Sequence, residues 1–211
     1  MDLVDDSSTD EELMHAYGKG DLKAFERLVK RHERAVFGYL LRSCSRRDVA
    51  EELLQEVFLR VVKGAKNYRS TAKFTTWLYT IARNICIDRA RKQRHRKEQS
   101  LDAPLRAGEG DLSMLDRVSD TEASAGSSQI ERKRFRQALE SALDELPSDQ
   151  REVFVMREIT GLKFREIAEI LECPVPTIKS RMRYALEGLR GHLETFRHHQ
   201  FDADEKKEVS S

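Results

Sequence analysis

Cysteine, proline and long apolar runs are all scarce in this sequence, and each scarcity excludes something. Cys44, Cys86 and Cys173 are odd in number and far apart. That argues against a disulfide framework and for a reducing, cytoplasmic setting. No pair of Cys or His has zinc-site spacing, and His198-His199 sits in a polar tail where solvation is the plain reading. No apolar run approaches the roughly 18 residues of a membrane span; Val153-Phe154-Val155-Met156 is typical of the longest. The start, Met1-Asp2-Leu3-Val4-Asp5-Asp6, is acidic and lacks the apolar stretch of a secretory signal. With only four Pro and ten Gly among 211 residues, and many Leu, Glu, Arg and Ala, the composition favours helix over strand.

Net charge is also nearly absent, at +1 from 38 basic and 37 acidic residues, but the charges are segregated. Residues 1–12 carry six acids and no base. Residues 83–97 carry seven bases against Asp88 alone, and residues 98–128 carry seven acids against Arg106 and Arg117. Blocks of this kind speak about partners more than about fold.

The length allows one or two domains. Residues 10–97 read as helices. Thr9-x-x-Glu12 is a capping-box pattern, Asp21 can cap the next helix, and Asp48-x-x-Glu51 looks like another capped start. Phe25, Leu28, Val29, Val36, Tyr39 and Leu40 recur three and four apart, as do Leu53, Leu54, Val57, Phe58, Val61 and Val62 up to Gly64. After a loop, a further helix runs from about Phe74 into the basic block. Residues 98–128 hold six Ser, three Gly and few large apolar residues without a period, and read as a linker. Residues 129–197 are helical again. Phe135, Leu139, Ala142, Leu143 and Leu146 form one stripe before Pro147, Ser148 is a good cap, and Gly161 ends the helix that follows.

Residues 164–190 have the pattern of a helix-turn-helix. Ile167, Ala168 and Leu171 line the first helix, the break at Glu172-Cys173-Pro174-Val175 is short, and Pro176 suits a first helical turn. Ile178 points back, which leaves Thr177, Lys179, Ser180, Arg181 and Arg183 on or near the outward face, with donors for phosphates and base edges. An ordinary helical hairpin with a solvated basic face is the alternative. A second cluster runs from Asn67 to Asn84. Phe74, Leu78, Ile81 and Ile85 share one helix face at about 100° per residue. Aromatic groups beside bases suit single-stranded nucleic acid, which needs stacking surfaces and countercharge. Composition assigns Phe74 and Trp77 to the core and leaves Tyr68 and Asn84 as the better candidates for touching a base. A third feature is the helix over 48–63, whose non-core face carries Glu51, Glu52, Gln55, Glu56, Leu59 and Arg60. It is either simply solvated or a docking face for a basic coiled coil.

From about Asp10 to Leu193 the chain resembles an extracytoplasmic function sigma factor, the compact two-domain class of bacterial sigma factors. Glu51-Glu52-Leu53-Leu54-Gln55-Glu56-Val57-Phe58-Leu59 resembles that family's polymerase-clamp segment. Phe74-x-x-Trp77-Leu78-x-x-Ile81-Ala82-x-Asn84-x-x-x-Asp88 resembles its promoter-melting helix. Leu143-x-x-Leu146-Pro147 with Arg151-Glu152-Val153-Phe154 and the helix-turn-helix resembles its region four. Pro176 stands where the family often has Gly, and Lys179 where it has Lys or Arg.

The resemblance implies an all-α fold of two small helical domains joined by a flexible acidic linker, with the helix-turn-helix in the C-terminal one. Residues 10–97 would be region two, 98–128 the linker and 129–197 region four. It implies no catalytic chemistry, cofactor, metal or membrane insertion. The partners would be core RNA polymerase, through its beta and beta-prime subunits, promoter DNA and an anti-sigma factor. Glu52, Leu53, Gln55, Glu56 and Leu59 would meet the polymerase. Tyr68, Arg69, Ser70, Lys73, Thr76, Arg83, Asn84 and Arg91 would serve the minus-ten element, where one non-template base is flipped into a pocket lined by Asn84. Thr177, Lys179, Ser180, Arg181, Arg183 and Tyr184 would serve the minus-thirty-five element. A relaxed coil of the linker's length spans only about 30 Å and full extension reaches about 100 Å, against promoter elements about 85 Å apart at about 3.4 Å per base pair. Unless the domains' own dimensions cover the difference, the polymerase would have to hold the linker stretched.

Two other classes compete. A stand-alone helix-turn-helix repressor would dimerise through its N-terminal half and bind a palindrome without polymerase. A helical enzyme would need a nucleophile–base pair, a metal cluster or a phosphate-cradling Gly loop, and the sequence offers none.

Overall fold

The computed structural model describes residues 8–99 and 126–208. The acidic residues 1–7 and most of the expected linker, residues 100–125, lie outside the described residues. Among those described, the regular structure is helical: α1 (Asp10–Gly18), α2 (Leu22–Cys44), α3 (Arg47–Gly64), a single 3-10 turn (Ala65–Asn67), α4 (Phe74–Gln99), α5 (Gly126–Glu145), α6 (Ser148–Glu158), α7 (Phe164–Leu171) and α8 (Val175–Glu208). They gather into two compact units, one holding α1–α4 with Val155–Cys173, the other holding α5, residues 148–154 and α8.

Local chemistry sets most of the boundaries in the first unit. The Glu12 N–H donates to Thr9 Oγ1 at 3.3 Å and the Thr9 N–H to Glu12 Oε2 at 2.8 Å, so the capping box forms as the sequence suggests. Such a cap is worth about 1 kcal/mol. Asp21 Oδ1 accepts from the N–H groups of Lys23 and Ala24 at 3.0 and 3.3 Å and starts α2. Ser45 ends α2 in the left-handed region at φ 54°, its N–H returned to the Leu41 carbonyl at 2.8 Å. The expected start at Asp48 is corrected. The chain leaves Ser45 so abruptly that α3 begins at Arg47 with Arg46 as its cap residue, and Asp48 lies inside the first turn, where it pairs with Arg46.

The core of this unit comes from one stripe of each helix. Leu13, Met14, Leu28, Val36, Leu40, Val57, Val61, Phe74 and Leu78 are fully buried, each side chain of this size contributing about 1.5–3 kcal/mol. Asp10 fastens α1 to α2: its carboxylate meets His32 Nε2 at 2.7 Å and Arg31 at 3.1 Å. Burial alone would raise the Asp10 pKa, but the hydrogen bonds and charges of His32 and Arg31 prevail and hold it below its ordinary value. On α7, Ile167, Ala168, Ile170 and Leu171 are buried, and Glu172 leaves the helix left-handed at φ 52°.

In the second unit, Ala142 and Leu143 of α5, with Leu146 just beyond its end, meet Ala185 and Leu189 of α8, with Leu139 and Phe154 packed alongside. Pro147 rather than Ser148 supplies the cap carbonyl of α6, accepting from the N–H groups of Gln150 and Arg151 at 3.0 Å each. Arg151 pairs with Asp144 at 3.0 Å and His192 with Glu145 at 3.3 Å at the rim of this core.

Candidate nucleic-acid and partner interfaces

Helix α3 turns Val49, Ala50, Leu53, Val57 and Val61 inward. Helical geometry therefore sends Glu52, Gln55, Glu56 and Leu59 outward on neighbouring turns. Leu59 is 57% exposed and Val62 37%, an apolar strip within an acidic face. Leu53 differs from the expectation: at 3% exposure it belongs to the core, because it falls in the same helical register as Val49 and Val57. The acids are only lightly engaged. Glu52 lies 3.4 Å from Arg89 and Glu56 2.7 Å from Arg60, exposed pairs worth about 0–1 kcal/mol.

At the head of α4 three rings collect. Tyr68 lies 5.1 Å from Trp77 and 6.2 Å from Phe74 between ring centroids, and Phe74 lies 6.0 Å from Trp77. Phe74 is fully buried, whereas Trp77 is half-buried and shows part of its indole. The cluster exists because Gly64 leaves room for it: a Cβ there would stand 2.8 Å from the Trp77 ring. The Tyr68 hydroxyl is buried without a hydrogen-bond partner. Burial, with the charges of Glu11 and Asp10, pushes its pKa up to about 12, so the phenol is neutral.

Between Tyr68 and α4, Arg69, Ser70 and Lys73 are exposed. The Lys73 ammonium lies 2.8 Å from Glu166 Oε1, and Glu166 also accepts from the Lys163 N–H at 2.6 Å. Two donors thus satisfy a carboxylate that is only 8% exposed. Burial would raise the Glu166 pKa, but these hydrogen bonds outweigh it and hold the group down, while the bond to Glu166 holds Lys73 up. Thr76 lies inside rather than on the surface, 6% exposed with its hydroxyl unpartnered.

Further along α4, Asn84 and Arg91 are exposed and Arg83 is half-buried. Trp77, Asn84 and Arg91 are spaced by seven, so they form one stripe with a repeat of about 10 Å. Arg89 turns aside to Glu52, and Asp88 lies 4.0 Å from Arg60.

On α8, Lys179, Arg183 and Tyr184 are exposed, with the Arg183 guanidinium 4.8 Å from the Tyr184 ring centroid and 3.7 Å from Glu187. Thr177 and Ser180 are half-buried, the Ser180 hydroxyl donating to the Thr177 carbonyl at 2.9 Å. Arg181 is partly buried and pairs with Asp149 at 3.0 Å. Sequence reasoning missed that partner, as it missed Glu11, whose Oε1 accepts from the Phe74 N–H at 2.7 Å. No local pattern signals a contact across 63 residues.

Among the described residues no group of His, Cys, Asp and Glu is set to hold a metal ion, and no helix is long and apolar enough to cross a membrane.

Comparison with known proteins gives consistent relationships. Residues 28–96 match the family description "Sigma-70 region 2" and residues 136–189 match "Sigma-70, region 4". The ECF RNA polymerase sigma-E factor of Haemophilus influenzae is 33% identical over 187 residues, covering 88% of this chain and 96% of that protein. Its Escherichia coli counterpart is 32% identical over 182 residues, covering 86% and 92%. RNA polymerase sigma-H factor of Pseudomonas aeruginosa is 29% identical over 184 residues, covering 85% and 91%. Two solved structures share the fold, each at a TM-score of 0.61. One is CnrH in complex with the cytosolic domain of CnrY, at 20% identity, covering 89% of this chain and 99% of that one. The other is the sigma factor RpoE in complex with the anti-sigma factor NepR from Bartonella quintana, at 23% identity, covering 82% and 98%.

Proposed function

This chain belongs to the extracytoplasmic function family of RNA polymerase sigma factors, and from that premise we propose how its residues do the work. A sigma factor is not an enzyme; it binds core RNA polymerase and recognises promoters. In this reading the outer face of α3, with Glu52, Gln55, Glu56 and the exposed Leu59, docks on the polymerase clamp. An apolar residue at the centre of a polar patch is the usual composition of such a contact.

Region two then opens the minus-ten element. The observation that carries this is the half-buried Trp77 beside Tyr68, at the head of a stripe that continues through Asn84 to Arg91. Extruding one base costs a few kcal/mol. Stacking on an aromatic surface returns about 1–3 kcal/mol, so capture is near balance and hydrogen bonds decide it. The Asn84 amide can both donate and accept to a base edge. Arg69, Arg83 and Arg91 hold backbone phosphates, and Lys73 joins them once it leaves Glu166. Helix α8, the second helix of the helix-turn-helix pattern read from the sequence, reads the minus-thirty-five element in the major groove through Lys179, Arg181 and Arg183, with Thr177, Ser180 and Tyr184 at its margin. Residues 10–97 and 129–197 are thus two promoter-reading regions, and the acidic segment between them is their tether.

Control by an anti-sigma factor fits the same surfaces. The RpoE structure holds such a partner, and the apolar strip of Leu59 and Val62 is a surface that a partner helix would cover in competition with polymerase.

The test is a reconstitution. Core polymerase with this chain should melt a cognate promoter, detected by permanganate reactivity in the minus-ten region. Asn84→Ala should retain polymerase in a pull-down and lose most of that reactivity. Melting by Asn84→Ala equal to that of the unaltered chain would remove the pocket assignment, and failure of the unaltered chain to bind core polymerase would remove the whole reading.

A further inference from the structure

Residues 68–73 connect the 3-10 turn to α4 and begin with Tyr68. Each end of this loop meets α1. At the first end, the Tyr68 N–H donates to the Ala65 carbonyl at 3.3 Å, and a Cβ on Gly18 would lie 3.3 Å from that same carbonyl oxygen. The last residue of α1 therefore lies directly against the loop's origin, and a side chain there would have to push that carbonyl by a few tenths of an ångström.

At the other end, Lys73 is the cap residue of α4, its carbonyl accepting from the Trp77 N–H at 3.2 Å. A lysine side chain has no acceptor to offer the first-turn N–H groups. Glu11 supplies one from α1, its Oε1 2.7 Å from the Phe74 nitrogen, and places a negative charge at the positive end of α4. Glu11 and Gly18 are seven residues apart, two turns on one face of the same helix. That helix is itself pinned, because Asp10, next to Glu11, is bound by both Arg31 and His32 of α2.

We propose that α1 is a splint for the base-capturing loop: Glu11 and Gly18 fix the loop's two ends, and Glu11 is a positioning residue that holds Tyr68 and Trp77 in register for promoter melting. The proposal rests on the reading of this loop as the site of base capture. It reaches beyond that reading by giving the N-terminal helix, which touches no DNA in it, a part in melting. It also explains why a loop with exposed Arg69, Ser70 and Lys73 keeps its one aromatic ring tucked between Phe74 and Trp77.

Trp77 is the single tryptophan of the chain, so its fluorescence reports the loop without any label. In the free full-length protein, Glu11→Ala should raise the acrylamide quenching of Trp77, and Glu11→Gln, which keeps an acceptor oxygen, should restore the unaltered value. In holoenzyme, single-stranded non-template minus-ten DNA is compared with strands carrying one abasic site at each position in turn. The unaltered protein should lose affinity at one abasic position. Glu11→Ala should bind the intact strand only as weakly as the unaltered protein binds the strand abasic at that position, and so should no longer distinguish the two. Glu11→Gln should recover the distinction. Unchanged Trp77 quenching in Glu11→Ala, or unchanged base discrimination, would overturn the splint. If the unaltered holoenzyme shows no abasic-sensitive position, the base-capture reading fails, while the quenching comparison still decides whether α1 fixes the loop.

Discussion

Replacing Gly64 with alanine sets two opposing effects against each other. Gly64 has φ −81° and ψ −12°, a conformation any residue adopts. Removing a glycine from helical backbone is favourable by roughly 0.5–1 kcal/mol. The added methyl, however, would stand 2.8 Å from Trp77 Cζ2 and 3.1 Å from its Cη2. The indole cannot simply swing away, because Phe74 and Tyr68 lie on it at 6.0 and 5.1 Å. Overpacking of this kind costs typically about 1–3 kcal/mol. The clash therefore wins, by about 1 kcal/mol, which in a domain of this size lowers Tm by about 4–8 °C. Circular dichroism melts would read the loss, and Trp77 emission should shift as the ring is displaced. A Gly64→Ala protein that melts higher than the parent with unchanged Trp77 emission would refute the packing described for this cluster.

Other substitutions separate the remaining contacts. Arg181→Ala should weaken upstream-element binding by the holoenzyme and reduce the salt slope by about one, whereas Asp149→Ala, which releases the same guanidinium from its 3.0 Å pair, should leave binding undiminished; footprinting against salt checks both. Glu56→Arg reverses charge on the exposed face of α3 and should deplete core polymerase from a pull-down, while the free chain, losing only the exposed pair with Arg60, stays folded by circular dichroism. Asp10 gives a pH dependence. Its carboxyl is held below its ordinary 3.8 in the folded chain, so the stabilisation is complete above that value and is lost as pH falls through the lower folded pKa. Acid titration of Asp10→Asn should lack this component, and denaturant midpoints at neutral and acidic pH would show it.

Local structure was legible where a side chain caps its own helix. Thr9 with Glu12 and Asp21 are short-range devices, and both form as read. Asp48 failed because Ser45 takes a left-handed conformation that no pattern announces, and the chain is already helical when Asp48 arrives. The aromatic cluster was half legible: composition places Phe74 in the core, where it is, but Trp77 is only half-buried, and its close packing over Gly64 of α3 is a tertiary contact. The family resemblance assigned Leu53 to the polymerase and Thr76 to DNA, yet both lie inside, as the apolar stripe already indicated for Leu53. The capping of α4 by Glu11 and the pairing of Arg181 with Asp149 are tertiary facts, invisible until the chain is folded. The matched segments 28–96 and 136–189 fall inside the two halves read from sequence, while by contact Val155–Cys173 groups with α1–α4.

The central claim is that this chain gives core polymerase its promoter choice. Sequencing the transcripts that core polymerase makes on genomic DNA with and without the chain tests it directly. The account predicts a set of new start sites that share two upstream elements and disappear with Glu56→Arg. Identical transcripts in the two reactions would contradict it.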